Sequence, residues 1–358
     1  MPLALSVYFE IVRFTAALVV LLSHAWPIFF PASPLPWPGH DAVVVFFVLS
    51  GYVISHASET KDTTLWRYVL SRTSRILCVT IPALLLGAVV AVYVGTPAAD
   101  IAIPSLLNAV FLGQSWTLNV GPPENAPYWS LCYEVWYYAI FGAAFYLTGS
   151  RRWIAIAVAS LLAGPKILLL MPCWLIGVAL HRNISRFRRS NVEAVYLFIG
   201  SAIVYLAFFW FDASIAIRRY LEPPLTLFYL RASNQFIGDT ILAIVVALNF
   251  IAVAKFQENS THALARIRPA AAWFAGATLS FYLFHYPLLQ FLKANGYTGA
   301  LSLVALIGTL FLLAYVTERR RKGFRDVLER AFAYAPDVPL PESARIGRAW
   351  GFSERLSK

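Results

Sequence analysis

Long apolar runs separated by short polar or basic intervals dominate this chain. Runs near 7–29, 42–57, 77–95, 127–148, 153–165, 167–181, 192–211, 236–254, 272–293 and 300–317 approach the roughly 20 apolar residues a helix needs to cross a bilayer. Several are short, notably 42–57 and the pair divided by Gly164-Pro165. The pattern predicts an all-α, polytopic integral membrane bundle of about 10 transmembrane helices. Nothing repeats at a fixed period, and no inverted halves stand out.

The polar intervals set the topology. With ten alternating spans, 23 of the 29 Lys and Arg residues fall on the side that holds both termini. Five fall on the other side, Lys166, Arg218, Arg219, Arg231 and Lys293, and Arg13 lies inside the first span. The positive-inside bias makes the richer side, and so both termini, cytoplasmic. Residues 101–120 are also apolar. A full crossing there would invert every later interval and carry the basic clusters outside, so this stretch is read as a re-entrant or interfacial helix. Residues 1–317 then form the membrane domain. Residues 318–358 form a basic cytoplasmic tail, from Arg319-Arg320-Arg321-Lys322 onward, suited to contact with anionic membrane lipids.

Composition agrees: 59% apolar and 13% charged residues exclude an ordinary soluble domain. The net charge of +11 raises a nucleic-acid reading, but the basic residues lie in loops between spans, so no nucleic-acid partner is expected. Met1 to Ala25 ends in small residues as a signal peptide does. It lacks a basic leader and no soluble domain follows, so it is read as a span. Cys78, Cys132 and Cys173 stand in apolar segments at no metal-ligand spacing, which predicts buried free thiols and no metal.

Candidate chemistry concentrates in the first span, where Glu10, Arg13 and His24 interrupt an apolar run. Ionisable residues inside a membrane helix are costly and so point to function. Eleven residues close about three turns, leaving Arg13 and His24 on one face roughly 16 Å apart. A Pro-rich hairpin follows, then Asp41 at the mouth of the second span. Counted from their span ends, His24, His285 and Glu134 reach one layer in the outer half of the membrane. There imidazole and carboxylate suit general acid–base chemistry. Each residue has a plainer reading. Arg13 can pair with Glu10, His24 and His285 can be polar neighbours of helix prolines, and Glu134 can bond Tyr137, Tyr138 or Ser130. On the cytoplasmic side, Leu65 to Leu77 reads as an amphipathic helix. Its Arg72 and Arg75 share a face, as a phosphate site or as ordinary positive-inside charge. Buried Arg, Glu and His in separate spans also fit a proton-coupled or glycan-precursor transporter, although the missing inverted repeats speak against it.

Five motifs together resemble membrane acyltransferase family 3, which includes bacterial O-antigen, exopolysaccharide and Nod-factor O-acetyltransferases. Arg13 and His24 match its Arg-x10-His pattern. Asp41 to Gly51 approximates its Asp-x-x-Phe-Phe-x-x-Ser-Gly hairpin, two residues longer before Phe46-Phe47. Arg72 and Arg75 match Arg-x-x-Arg, Trp129 to Glu134 matches Trp-Ser-Leu-x-x-Glu, and Ser280 to His285 matches Ser-x-Tyr-x-x-His. The resemblance implies a multi-pass protein of the bacterial inner membrane. It implies transfer of an acyl group, usually acetyl, from cytoplasmic acyl-CoA to a hydroxyl of a glycan or lipid-linked sugar. Acetyl-CoA would be a donor substrate, with no cofactor bound permanently. On this reading His24, Arg13 and Glu134 are catalytic, and Arg72 and Arg75 hold CoA phosphates. Asp41, Trp116, Trp129, Tyr282 and His285 contact substrate. Many relatives carry a secreted hydrolase-like domain after the membrane part; none is expected here, which leaves transfer to the membrane domain or a separate partner.

Overall fold

The computed structural model describes residues 1–331 apart from Pro34 and residues 188–189, 226–229 and 257–260. The described residues are helical and contain no strand. The helices run α1 (Leu3–Phe29), α2 (Gly39–Thr60), α3 (Leu65–Tyr93), α4 (Ala98–Ala109), α5 (Trp129–Tyr146), α6 (Gly149–Ala163) and α7 (Pro165–Asn183). They continue with α8 (Asn191–Trp210), α9 (Ala213–Leu225), α10 (Phe236–Lys255), α11 (Thr261–Ala275), α12 (Thr278–Ala294), α13 (Gly299–Val316) and α14 (Arg321–Ala331). Among the described residues, seven helical segments are long and apolar enough to cross a membrane, including α1, α2, α3, α7, α8 and α10. Their outer faces stay apolar: Leu85, Val89 and Val92 on α3, Ile203 and Leu206 on α8, and Leu301 and Val304 on α13 are all exposed. Apolar surface on that scale is the mark of a protein solvated by lipid.

The predicted spans recur as helices with two changes. Leu65 to Leu77 is not a separate surface helix but the first turns of α3, capped by the Thr64 hydroxyl, which accepts from the Arg67 N–H at 3.2 Å. No Gly or Pro interrupts the chain until Pro82, so one helix continues through both predicted segments. The run 272–293 is broken at Gly276-Ala277 into α11 and α12. The stretch 101–120 yields only the twelve-residue α4, too short to span, and then an irregular segment that closes the end of the bundle opposite the start of α1. That segment is fastened by side chains. Trp116 Nε1 donates to Leu161 O at 2.7 Å, Asn108 Nδ2 to Val120 O at 2.9 Å and Asn125 Nδ2 to Leu283 O at 2.9 Å. Lys166, expected in an outer loop, is buried and donates to the Leu118 carbonyl. Its ammonium is tied to this segment through the Leu118 carbonyl and, at 3.5 Å, Gln114 Oε1.

α1 and α2 occupy the centre: α1 packs on α2, α11 and α12, and α2 packs on α7. The α2–α7 crossing is backbone against backbone. A Cβ on Gly51 would collide with the Trp174 carbonyl, and one on Gly177 with the Val48 carbonyl. Small residues permit this approach where helices gain little from hydrophobic association. We expect Gly51→Ala or Gly177→Ala to cost about 1–3 kcal/mol by overpacking. Thermal melting of detergent-solubilised protein checks this; an unchanged midpoint for both variants would mean the crossing is loose.

The boundary read at residue 317 falls inside packed structure. Glu318 and Arg321 both reach back into the bundle: Glu318 bonds Ser280 of α12, and Arg321 donates to the Ser71 carbonyl of α3 at 3.0 Å. The rest of the predicted tail, 332–358, lies outside the described residues.

Candidate active site

α1 and α3 start at the same end of the bundle and run outward together. Arg13 and Arg75 each lie ten residues into their helix, roughly 15 Å from its start, and so share a depth. Both line a cavity of about 650 Å³, its open mouth included, together with Glu134, Ser130, Ser50 and Tyr282. Along α2 the lining runs from Val43 to Ile54, roughly 16 Å of rise. Phe46, Phe47 and Leu49 give the walls their apolar character.

The two guanidiniums are the unusual feature. Among the described residues neither has a hydrogen bond or an ion pair, although each feels the Glu134 and Glu318 charges. Guanidiniums held together without a counter-ion in contact make a site that calls for an anion. Glu134 accepts from Tyr138 Oη at 2.6 Å, and that hydroxyl in turn meets Ser50 Oγ at 3.1 Å. Glu10, the alternative partner for Arg13, has its Oε2 buried with no hydrogen bond.

Arg72 behaves differently from Arg75, three residues further along. Its Nη2 binds Asp62 Oδ2 at 2.7 Å and Ser71 Oγ at 2.9 Å, with both ionic side chains about nine-tenths buried. It is an internal ion pair at the cavity's end of α3 and does not line the cavity. The shared helix face read from sequence is real, but Asp62, from the turn between α2 and α3, claims one of the two guanidiniums.

The outer end leads to a pair of histidines. Tyr282 lines the cavity, and His285 lies one turn further out on α12. His285 Nε2 is 3.2 Å from His24 Nδ1, with ring centroids 5.3 Å apart. Backbone carbonyls fix the tautomers. His285 Nδ1 is 2.9 Å from Phe281 O, and His24 Nδ1 is 2.9 Å from Val20 O. A carbonyl only accepts, so both Nδ1 atoms carry hydrogen and both Nε2 atoms carry lone pairs. His24 shares its hydrogen between Val20 O and His285 Nε2. Its own Nε2 is left bare, as a general base or nucleophile requires. Of the three groups read into one layer, His24 and His285 meet, and Glu134 belongs to the arginine end of the cavity.

Pro287 explains why α12 holds this geometry. It removes the N–H that would bond Leu283 O, and Asn125 Nδ2 takes that carbonyl instead. Tyr282 is clamped too: its hydroxyl donates to Pro127 O at 2.7 Å and accepts from Ser130 Oγ at 2.6 Å.

Other predicted residues stand further out. Asp41 stands beside the Tyr205 hydroxyl. Its neighbour His40 binds the fully buried Asp239 through Nε2 at 3.0 Å and stacks on Trp129, with centroids 6.0 Å apart. Trp116 is half exposed, its indole N–H bonded to α6, and it does not line the cavity. The cysteines are buried and free, and no group of metal-ligating residues occurs among the described residues.

Sequence reading missed Glu318. Its Oε2 accepts from the Ser280 N–H at 3.0 Å and Ser280 Oγ at 3.1 Å, capping the first turn of α12 from the far end of the chain. The only available signal was one acid next to the end of the last apolar run, before four basic residues.

Comparison with curated proteins and with solved structures gave no match. A family model described as an acyltransferase domain matches residues 6–319, which take in both arginines of the cavity, both histidines and Glu318. That match covers nearly all of the helical bundle, and the chain therefore belongs to membrane acyltransferase family 3.

Proposed function

We propose that this protein is an O-acyltransferase that moves an acyl group, acetyl in the first instance, from cytoplasmic acyl-CoA to a hydroxyl of a cell-surface glycan or lipid-linked sugar. One observation carries the reading. Two guanidiniums without a counter-ion in contact sit at one end of an apolar-walled cavity, and the other end leads to an imidazole with a bare nitrogen. The donor's phosphates bind Arg75 and Arg13, and the pantetheine arm extends past Phe46, Phe47 and Tyr282. A span of roughly 16 Å from Arg13 to His24 suits an extended arm. His24 Nε2 takes the acceptor hydroxyl's proton as the oxygen bonds to the thioester carbon. The C–S bond breaks, and the proton passes to the departing thiolate. Glu134 offsets the paired arginine charges. At the outer end, Trp129 and Asp41 offer a ring and a carboxylate to the acceptor. No permanently bound cofactor is needed, and the site lies in a bacterial inner membrane with both termini cytoplasmic.

Sealed vesicles test the chemistry and the orientation together. With labelled acetyl-CoA outside, inside-out vesicles should pass label to the glycan and lipid fraction, and mass spectrometry should find acceptors heavier by one acyl group. Right-side-out vesicles should not transfer. Transfer only in right-side-out vesicles would overturn the orientation, and none in either would overturn the donor.

A further inference from the structure

A second concavity lies beside α3, facing lipid. α13 ends at Val316, the chain turns through residues 318–320, and α14 folds back toward α3. The wedge left between them encloses about 1080 Å³, open side included. Leu77, Ile81, Val316, Phe324 and Val327 form an apolar floor. Arg319, Arg320 and Lys322 stand at its rim. The floor also continues beyond the wedge. Ile81, Leu85, Val89 and Val92 follow one another at helical spacing along α3 and are 46%, 63%, 65% and 67% exposed, an apolar track toward the bilayer interior.

The rim carries positive charge that is in no ion pair among the described residues. The Arg319 guanidinium lies 4.1 Å from the Trp273 ring centroid and donates to Trp273 O at 3.0 Å; that of Arg320 lies over Tyr315 at 5.2 Å. These contacts hold the two heads in place without neutralising them. The neighbouring acid, Glu318, is turned inward onto Ser280, and Glu329 is paired with Arg325. Among the described residues no ion pair reaches Arg319, Arg320 or Lys322.

We propose that this groove is a binding site for a single anionic phospholipid, with the phosphate at Arg319, Arg320 and Lys322 and one acyl chain along the α3 track. A soluble anion would gain from the rim but leave the apolar floor and track uncovered, and a zwitterionic lipid would cover the floor but offer the rim no net charge. The site is separate from the arginine cavity: the two linings have no residue in common, although Cys78 of the groove and Arg75 of the cavity are one turn apart on α3.

Native mass spectrometry of the full-length protein in detergent tests this, with phosphatidylglycerol, phosphatidylcholine and glycerol phosphate as probes. One phosphatidylglycerol should bind about a hundredfold more tightly than phosphatidylcholine, the combined effect of three basic residues at an anionic headgroup. The triple variant Arg319→Gln/Arg320→Gln/Lys322→Gln should lose that preference. Ile81→Glu, which leaves the rim intact, should weaken phosphatidylglycerol by ten-fold or more. Arg151→Gln/Arg152→Gln, which removes basic charge elsewhere, should change neither. Equal binding of the two lipids by the wild type, or an undiminished preference in the triple variant, would overturn the site. Displacement by an equal concentration of glycerol phosphate would replace it with a soluble-anion site.

Discussion

His24→Ala should abolish acyl transfer while the protein still inserts and purifies as the wild type does. His24 presents the bare Nε2 on which the proposed reaction depends, and loss of a general base typically costs 10²–10⁴-fold. The fold should tolerate the change. His24 is half-buried in α1, and its removal leaves His285 Nε2 without a donor but strands no buried charge. Turnover of labelled acetyl-CoA by matched amounts of purified protein is the measurement. More than about a tenth of wild-type turnover would remove His24 from the role of base. Nothing in the arginine cavity would be affected by that result.

Arg75→Ala and Arg72→Ala should fail in opposite ways, although the two residues are one turn apart. Arg75 faces the cavity with no hydrogen bond or ion pair among the described residues, so its loss should raise the donor KM and spare kcat. A charge-assisted contact of about 1.5–3 kcal/mol corresponds to roughly a 10- to 150-fold rise. Arg72 is bonded to Asp62, whose side chain is only 9% exposed. Removing it leaves a buried carboxylate unpaired, which costs about 3–5 kcal/mol, so yield and melting temperature should fall while surviving protein keeps its donor KM. Saturation kinetics and melting curves on both variants check the contrast. A raised KM in Arg72→Ala with normal stability would return Arg72 to the donor site.

The helical layout was legible in the sequence because hydrocarbon permits few solutions: long apolar runs, interrupted where Gly164-Pro165 stops a helix, leave little choice. Positive-inside counting also kept residues 101–120 from being read as a full span, and α4 is indeed only twelve residues long. His24 and His285 could be placed at one depth by counting rise alone. Their contact could not, because two helices 261 residues apart in sequence must be rotated toward each other. The division between Arg72 and Arg75 was hidden for a similar reason. Helical spacing puts them on one face, but Asp62 comes from outside the helix and takes one of them. Glu318 was read as tail because its partner, the first turn of α12, lies 38 residues earlier in sequence. Trp116, read as a ring for a sugar, lies outside the cavity with its indole N–H committed to Leu161 O and its ring half exposed.

The glycine crossing of α2 and α7 also settles which parts of the bundle can shift. Backbones in direct contact at Gly51 and Gly177 cannot slide without collision, so α2 and α7 behave as one rigid body carrying Phe46, Phe47 and Ser50. The opposite wall is jointed. α11 and α12 meet at Gly276-Ala277, where the helix is interrupted, and α12 carries Thr278, Leu279, Tyr282 and His285. Glu318 holds that joint from below through Ser280, and Asn125 holds α12 from above at Leu283. Widening of the cavity on the α12 side would therefore have to break one of those fastenings, and any such movement would change the spacing of the two histidines.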